Sequence, residues 1–208
     1  MAYTAIDDPS AYFKVQLWTG DGVAIGSGGQ AIVFDDTDTD MQPDLVWTAE
    51  RSSTSGNQVI DAVRGVTKHL ESSGASGAES DQTEGLTAFG SDGFTVGENG
   101  AVNQDTQTYV AWCWKESATS GFDIVSYTGN GSARTISHSL SAVPKFYVVK
   151  QRSDTGGWLV YHAGNTSAPE TDYLRMDKTD ATTDDPIFND TAPTSSVFSV
   201  GTNAPVNG

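Results

Sequence analysis

Residues 93–114 read GFTVGENGAVNQDTQTYVAWCW, and the first half of that stretch returns at the end of the chain as residues 197–208, VFSVGTNAPVNG. Phe94-Thr95-Val96-Gly97 corresponds to Phe198-Ser199-Val200-Gly201, and Val102-Asn103 to Val206-Asn207, both at an offset of 104. Self-similarity at a fixed period fixes the architecture before any single residue is interpreted. Working outward, Leu70 matches Leu174 at the same offset, and Pro43 and Arg51-Ser52 match Pro144 and Arg152-Ser153 at 101. Val59-Ile60 aligns with Leu159-Val160, and the turn Trp18-Thr19-Gly20-Asp21-Gly22 with Tyr127-Thr128-Gly129-Asn130-Gly131. A unit of about a hundred residues, a typical domain size, therefore occurs twice.

The unit is built of strands. Tyr12 to Trp18, Ala31 to Phe34, Leu45 to Trp47, Phe94 to Val96, Tyr109 to Trp114, Phe122 to Tyr127, Phe146 to Val149, Trp158 to Tyr161 and Val197 to Val200 are short and rich in β-branched and aromatic residues. Gly, Ser, Asp, Asn and Pro clusters separate them. Within Tyr109 to Trp114, alternation sets Val110, Trp112 and Trp114 on one face and Tyr109, Ala111 and Cys113 on the other, and both faces read as buried. Asn57 to Leu70 has apolar residues near helical spacing, but Gly65, and Gly164 and Pro169 in the copy, favour strand, turn, strand. The expected fold is all-β, in tandem β-sandwich-like domains with long Gly/Ser/Thr/Asp-rich loops. An N-terminal segment 1–10 precedes a first repeat over 11–116, and the second repeat covers 121–208. That second repeat lacks the counterpart of Thr108 to Trp114. The expectation is a front part of a longer polypeptide, the alternative being completion by a strand from another chain.

Composition narrows the function. The 208 residues carry 27 acidic against 11 basic side chains, a net charge of -16, which repels nucleic-acid phosphates and anionic membranes. Neither nucleic-acid binding nor membrane insertion is expected: no basic run and no stretch of ~18 apolar residues occurs. The opening MAYTAIDDPSAYF lacks the charged head and apolar run of a secretory signal. Cys113 stands alone, which excludes an internal disulfide and a Cys-based zinc site, and it reads as a small buried hydrophobe.

No catalytic residue is assigned. His69, His138 and His162 lie in three separate segments, without a nucleophile signature or metal spacing. The glycines at 20, 22, 26, 28 and 29 lack the Lys of a phosphate loop and precede a strand, so they read as a hairpin connection. Asp36, Asp38 and Asp40 alternate like the opening of a calcium loop and are the only metal candidates, calcium being the only cofactor considered. The match is incomplete, with Met41 at the sixth position, where such loops need Gly, and Trp47 at the twelfth. Trp18, beside a turn, is the aromatic expected to be exposed and is the candidate for glycan contact; Trp47, Trp112, Trp114 and Trp158 fall inside strands.

The stretches IDDPSAYF, WTGDG and YTGNG, MQPDLVW, VRGVTKHL, GFTVGENGAVNQDTQTYVAWCWK and NDTAPTSSVFSVGTN together resemble a repeated domain of structural proteins of tailed bacteriophages, of the tail-fibre-like type found in phages of marine bacteria and cyanobacteria. The resemblance spans about residues 10 to 207. It implies a β-rich, non-enzymatic virion component on the particle surface, assembled in the host cytoplasm: a tail fibre or receptor-binding appendage, or its virion-anchoring N-terminal part. The alternatives are a head decoration or head-fibre protein and, from another class, a carbohydrate-binding module. Implied partners are other virion proteins, further copies of the chain with a trimer favoured, and a host surface glycan.

Overall fold

The computed structural model describes residues 6–35, 39–73 and 77–208. The described residues form antiparallel strands with two short α-helices and a few 3-10 turns, and the chain divides into two compact units. The first comprises the described residues up to Glu71 and Glu79–Phe122, the second the described residues of Ser72–Ala78 and Asp123–Gly208.

In the first unit the strands are β1 (Phe13–Thr19), β2 (Gln30–Val33), β3 (Leu45–Glu50), β4 (Gln58–Asp61), β5 (Lys68–Glu71), β6 (Ser80–Asp81), β7 (Leu86–Gly90) and β8 (Gly93–Val96), followed by the helix α1 (Gly100–Asn103) and β9 (Thr108–Trp114). Six strands form one sheet in the order β1-β9-β3-β4-β5-β6, and three form another in the order β2-β8-β7. The last strand in sequence therefore sits between the first and the third. The core draws on both sheets: Ile32, Phe94, Val96 and Leu86 from the small one, Val46, Ile60, Ala111 and Cys113 from the large one, with Met41 from a connection and Val102 from α1. Such aliphatic and aromatic burial supplies most of the driving force for folding, about 1.5 to 3 kcal/mol per large side chain.

The second unit contains β10 (Arg134–Ser137), β11 (Phe146–Lys150), β12 (Trp158–His162), β13 (Asp172–Arg175), β14 (Thr183–Asp184), β15 (Val197–Val200) and α2 (Ala204–Asn207). Here β10 pairs with β15, and β11-β12-β13-β14 form a four-stranded sheet. Its core gathers Ile136, Val149, Leu159, Tyr161, Ile187, Phe188, Phe198, Val200 and Val206.

The two units repeat one pattern of pairing. Gln30↔Val96 through Val33↔Gly93 becomes Arg134↔Val200 through Ser137↔Val197, with an offset of 104 on both strands. Leu45↔Asp61 becomes Phe146↔His162, with an offset of 101 on both strands. Val59↔Leu70 becomes Val160↔Leu174. Val59-Ile60 thus corresponds to Val160-Tyr161 and not to Leu159-Val160. Because a one-residue slip turns every side chain to the other face, the difference is structural: Ile60 and Tyr161 both enter their cores, whereas Val160 does not join its unit's cluster.

Two expectations about strands need correction. Phe122 to Tyr127 is not a strand; Phe122 makes one isolated bridge to Ser117, and residues 123–130 carry no ladder. A strand needs a neighbour, and the neighbour that β1 finds in β9 has no equivalent among the described residues of the second unit. Nor is β9 buried on both faces: Tyr109, Ala111 and Cys113 are fully buried, whereas Val110, Trp112 and Trp114 are only partly covered.

Candidate interaction surface

The first unit is held by a clasp that joins two motifs far apart in sequence. The indole Nε1 of Trp18 donates to the Val102 carbonyl at 3.1 Å, and the Asp21 amide donates to Oδ1 of fully buried Asn103 at 3.0 Å. The Asp21 side chain in turn accepts from the Val23 amide at 2.9 Å and from Asn103 Nδ2 at 3.1 Å. The second unit repeats this closely. The Tyr127 hydroxyl donates to the Val206 carbonyl at 2.6 Å, the Asn130 amide to Asn207 Oδ1 at 3.2 Å, and the Ser132 amide to Asn130 Oδ1 at 3.0 Å. Gly22 and Gly131 adopt φ of 65° and 69°, a left-handed backbone that glycine enters without strain. A Cβ on Gly20 would collide with the Gln104 carbonyl, and one on Gly129 with the Gly208 carbonyl. The repeated WTGDG and VN stretches are thus the two halves of one lock.

Trp18 is consequently not the exposed aromatic expected beside a turn. It is half-buried, stacked on Tyr109 at 5.2 Å between ring centroids and edge-on to Phe94 at 5.7 Å. Its one polar atom is used inside the protein, which leaves the ring as packing material.

A row of exposed apolar side chains lies on the outer face of the six-stranded sheet. In β1 the side chains of Lys14 and Gln16 point inward, 5% and 6% exposed, while Phe13, Val15 and Leu17 point outward, 40%, 47% and 52% exposed. The inner polar groups find partners. Lys14 Nζ lies 5.2 Å from the Phe34 ring centroid and 3.7 Å from Asp92 Oδ1, and Gln16 Oε1 accepts from the Asp35 amide at 3.2 Å. The register sets Phe13 beside Trp114, Val15 beside Trp112 and Leu17 beside Val110, then Trp114 beside Leu45 and Trp112 beside Trp47. Phe13 and Trp114 are 5.0 Å apart, Trp47 and Trp112 6.2 Å, and Phe122 extends the row at 6.1 Å from Trp114. Across β1, β9 and β3 this face presents no ionisable side chain, in a chain whose net charge is -16. Contiguous apolar surface of this kind marks a contact site.

The remaining candidates are dispersed. Asp36 and Asp38 lie outside the described residues, and Asp40 is exposed. Among the described residues no group of three or more His, Cys, Asp or Glu is placed to hold a metal ion. Burial pushes the Cys113 thiol well above its usual range, as suits a packing residue. His162 is exposed and His138 partly so, whereas His69 is buried, its Nε2 accepting from the Leu86 amide at 3.2 Å. Burial, aided by the Arg64 charge, lowers the His69 pKa to about 4.

Sequence reading missed Arg64, whose side chain is 5% exposed. It pairs with Asp61 and Glu79 and donates to the carbonyls of Lys68 and Val59 at 3.0 and 2.8 Å, tying the β4–β5 turn to its strands. It also missed the outward face of β1, although the signal was present in the alternation FKVQLWT, which permits only one of the two faces to be apolar throughout.

No curated protein matches the chain, and no solved structure does. The family described as "Domain of unknown function (DUF7483)" matches over residues 8–208, and the chain belongs to that family.

Proposed function

We propose that the chain is a structural module of a virion, a tail fibre or receptor-binding appendage, which acts by surface complementarity and not by catalysis. Each unit is read as a β-sandwich-like domain with long polar loops, and the pair as a tandem repeat. The observation that carries the reading is the outer face of β1, β9 and β3. A lone soluble domain would turn Phe13, Val15 and Leu17 inward and Lys14 and Gln16 outward; this one does the reverse and pays in exposed apolar surface. That arrangement makes sense where another protein surface covers the face. The occupant is a second copy of the chain. Between copies of net charge -16 mutual repulsion opposes contact, and this uncharged face is where two or three copies meet at the lowest electrostatic cost. Closed homo-oligomers are the commonest solution for such self-complementary patches. The phage assignment itself rests on the resemblance of the motif series.

Antibody labelling of purified particles tests the assignment. Label at the tail supports an appendage, and label distributed over the head supports a decoration protein. Particles that carry no label, with the chain found only free in the lysate, contradict a virion role.

A further inference from the structure

Lys14 and Asp92 join the two sheets of the first unit. Lys14 lies in β1, the end strand of the six-stranded sheet, and its side chain points inward with 3% of its surface exposed. Asp92 belongs to the small sheet, in the two-residue turn Ser91-Asp92 that is left when β7 and β8 pair down to Gly90↔Gly93. Gly93 keeps that turn tight: its φ is 131°, and a Cβ there would collide with the Ile32 carbonyl.

The setting is apolar and firmly held. Phe34 and Met41, both members of the core cluster, flank the pair. The Phe34 amide donates to the Asp92 carbonyl at 3.3 Å, the Met41 amide donates to Asp92 Oδ1 at 3.2 Å, and the Phe34 ring centroid lies 5.2 Å from Lys14 Nζ. Nζ and Oδ1 are 3.7 Å apart, although the two residues are 78 positions apart in sequence. A charge withdrawn from water to this degree is costly even when it is paired. Lys68 and Asp81 lie closer, at 2.8 Å, yet with 36% and 55% of their side chains exposed they form an ordinary surface ion pair.

We propose that Lys14 and Asp92 condense to an amide, a covalent bond between β1 and the β7–β8 turn that forms without another enzyme. Passage of one proton from the Lys14 ammonium to the Asp92 carboxylate leaves a neutral amine beside a neutral carboxyl group, and withdrawal from water favours such uncharged forms. Nζ then bonds to Cγ, the Cγ–Oδ2 bond breaks, and the departing hydroxyl takes a proton from the nitrogen and leaves as water. Ammonium and carboxylate thus become amide and water, and no oxidant, reductant or other reactant is consumed. The Met41 amide, already aimed at Oδ1, stabilises the charge that develops on that oxygen. Contact within the fold replaces a chance encounter by a unimolecular step. A slow reaction suffices, because the pair stays in contact for the lifetime of the fold. The bond fastens an end strand, otherwise paired only with β9, to the other sheet. The inference holds whether or not the chain belongs to a virion.

Intact-mass spectrometry of the purified full chain after overnight incubation, combined with tryptic mapping, tests the bond. The chain is expected to be lighter than its sequence by one water, with no cleavage after Lys14 and with residues 1–51 joined to residues 69–115 as one branched peptide. Lys14→Gln is expected to show the full mass. A parent chain of full mass that trypsin cleaves after Lys14 overturns the proposal, whether or not the variant folds. A lost water that persists in Lys14→Gln and maps to residues 69–115 alone also overturns it, because the dehydration then lies within Asp92-Gly93 as a cyclic imide.

Discussion

Replacing Asn103 by Ala sets two physical effects against each other with opposite signs. Asn103 ends the four-residue helix α1, and Ala is the better helix former, a gain of roughly 0.5 kcal/mol. Against it stand the two hydrogen bonds of the clasp, from the Asp21 amide at 3.0 Å and to Asp21 Oδ1 at 3.1 Å, and a side chain with no exposed surface. Loss of a bond to a charged group, a stranded amide and a small void together cost about 2 to 3 kcal/mol after partial rescue by water at the exposed Asp21. The clasp wins by about 2 kcal/mol, equivalent to a fall of roughly 10 °C in Tm for a unit of this size. Urea unfolding followed by tryptophan fluorescence reads the change, and exchange at the Val23 and Asp21 amides localises it. Asn207→Ala is expected to cost more, since Asn207 Nδ2 also donates to the Ser132 and Gly201 carbonyls at 2.6 and 2.8 Å. An Asn103→Ala protein as stable as the parent, or more so, would refute the clasp as the element that fastens β1 to α1.

Three further outcomes are expected. His69 has its pKa lowered from the ordinary 6.5 to about 4, so the folded state binds fewer protons than the unfolded one. Its contribution is whole above pH 6.5 and falls as pH drops towards 4, by up to about 3 kcal/mol at ~1.4 kcal/mol per pH unit; a difference curve against His69→Asn, which retains an acceptor for the Leu86 amide, isolates that slope from the carboxylates. Arg64→Met leaves Asp61 buried without its cation and should cost about 3 to 5 kcal/mol in chemical denaturation, whereas a loss under 1 kcal/mol would show the pair to be replaceable. Tyr147→Phe should stabilise the second unit by about 1 kcal/mol, because the Tyr147 hydroxyl is buried without a partner among the described groups; a drop in Tm would mean that the hydroxyl is satisfied.

How much of this was legible in the sequence follows from what local pattern can and cannot encode. Strands β2, β3, β8, β9, β11, β12 and β15 announce themselves through short β-branched and aromatic runs between turn residues, and the strand–turn–strand reading of 57–70 matches β4 and β5. The Leu70–Leu174 register survives because three extra residues fall in the β12–β13 connection, where they disturb no pairing. The Val160–Tyr161 register was missed by one, since neighbouring aliphatic residues look alike in composition and differ only in the face they present. The pairing of the repeated turn with the repeated VN motif was invisible, because residues 21 and 103 meet only once β1 and α1 have been brought together. Residues 122–127 have the composition of a strand and lack its neighbour, a property of topology and not of the segment. The exposed side of β1 was hidden for a related reason: FKVQLWT says that its faces differ, and only the partners of Lys14 and Gln16, the Phe34 ring, Asp92 and the Asp35 amide, decide which face turns inward.

The outer face of β1, β9 and β3 bears most directly on the proposed role, and sedimentation equilibrium of the purified chain tests it. The account predicts a closed oligomer at micromolar concentration that Leu17→Asp returns to a single chain with its fold intact by circular dichroism. A parent protein that sediments as a single chain across that range, indistinguishable from the Leu17→Asp variant, would contradict it.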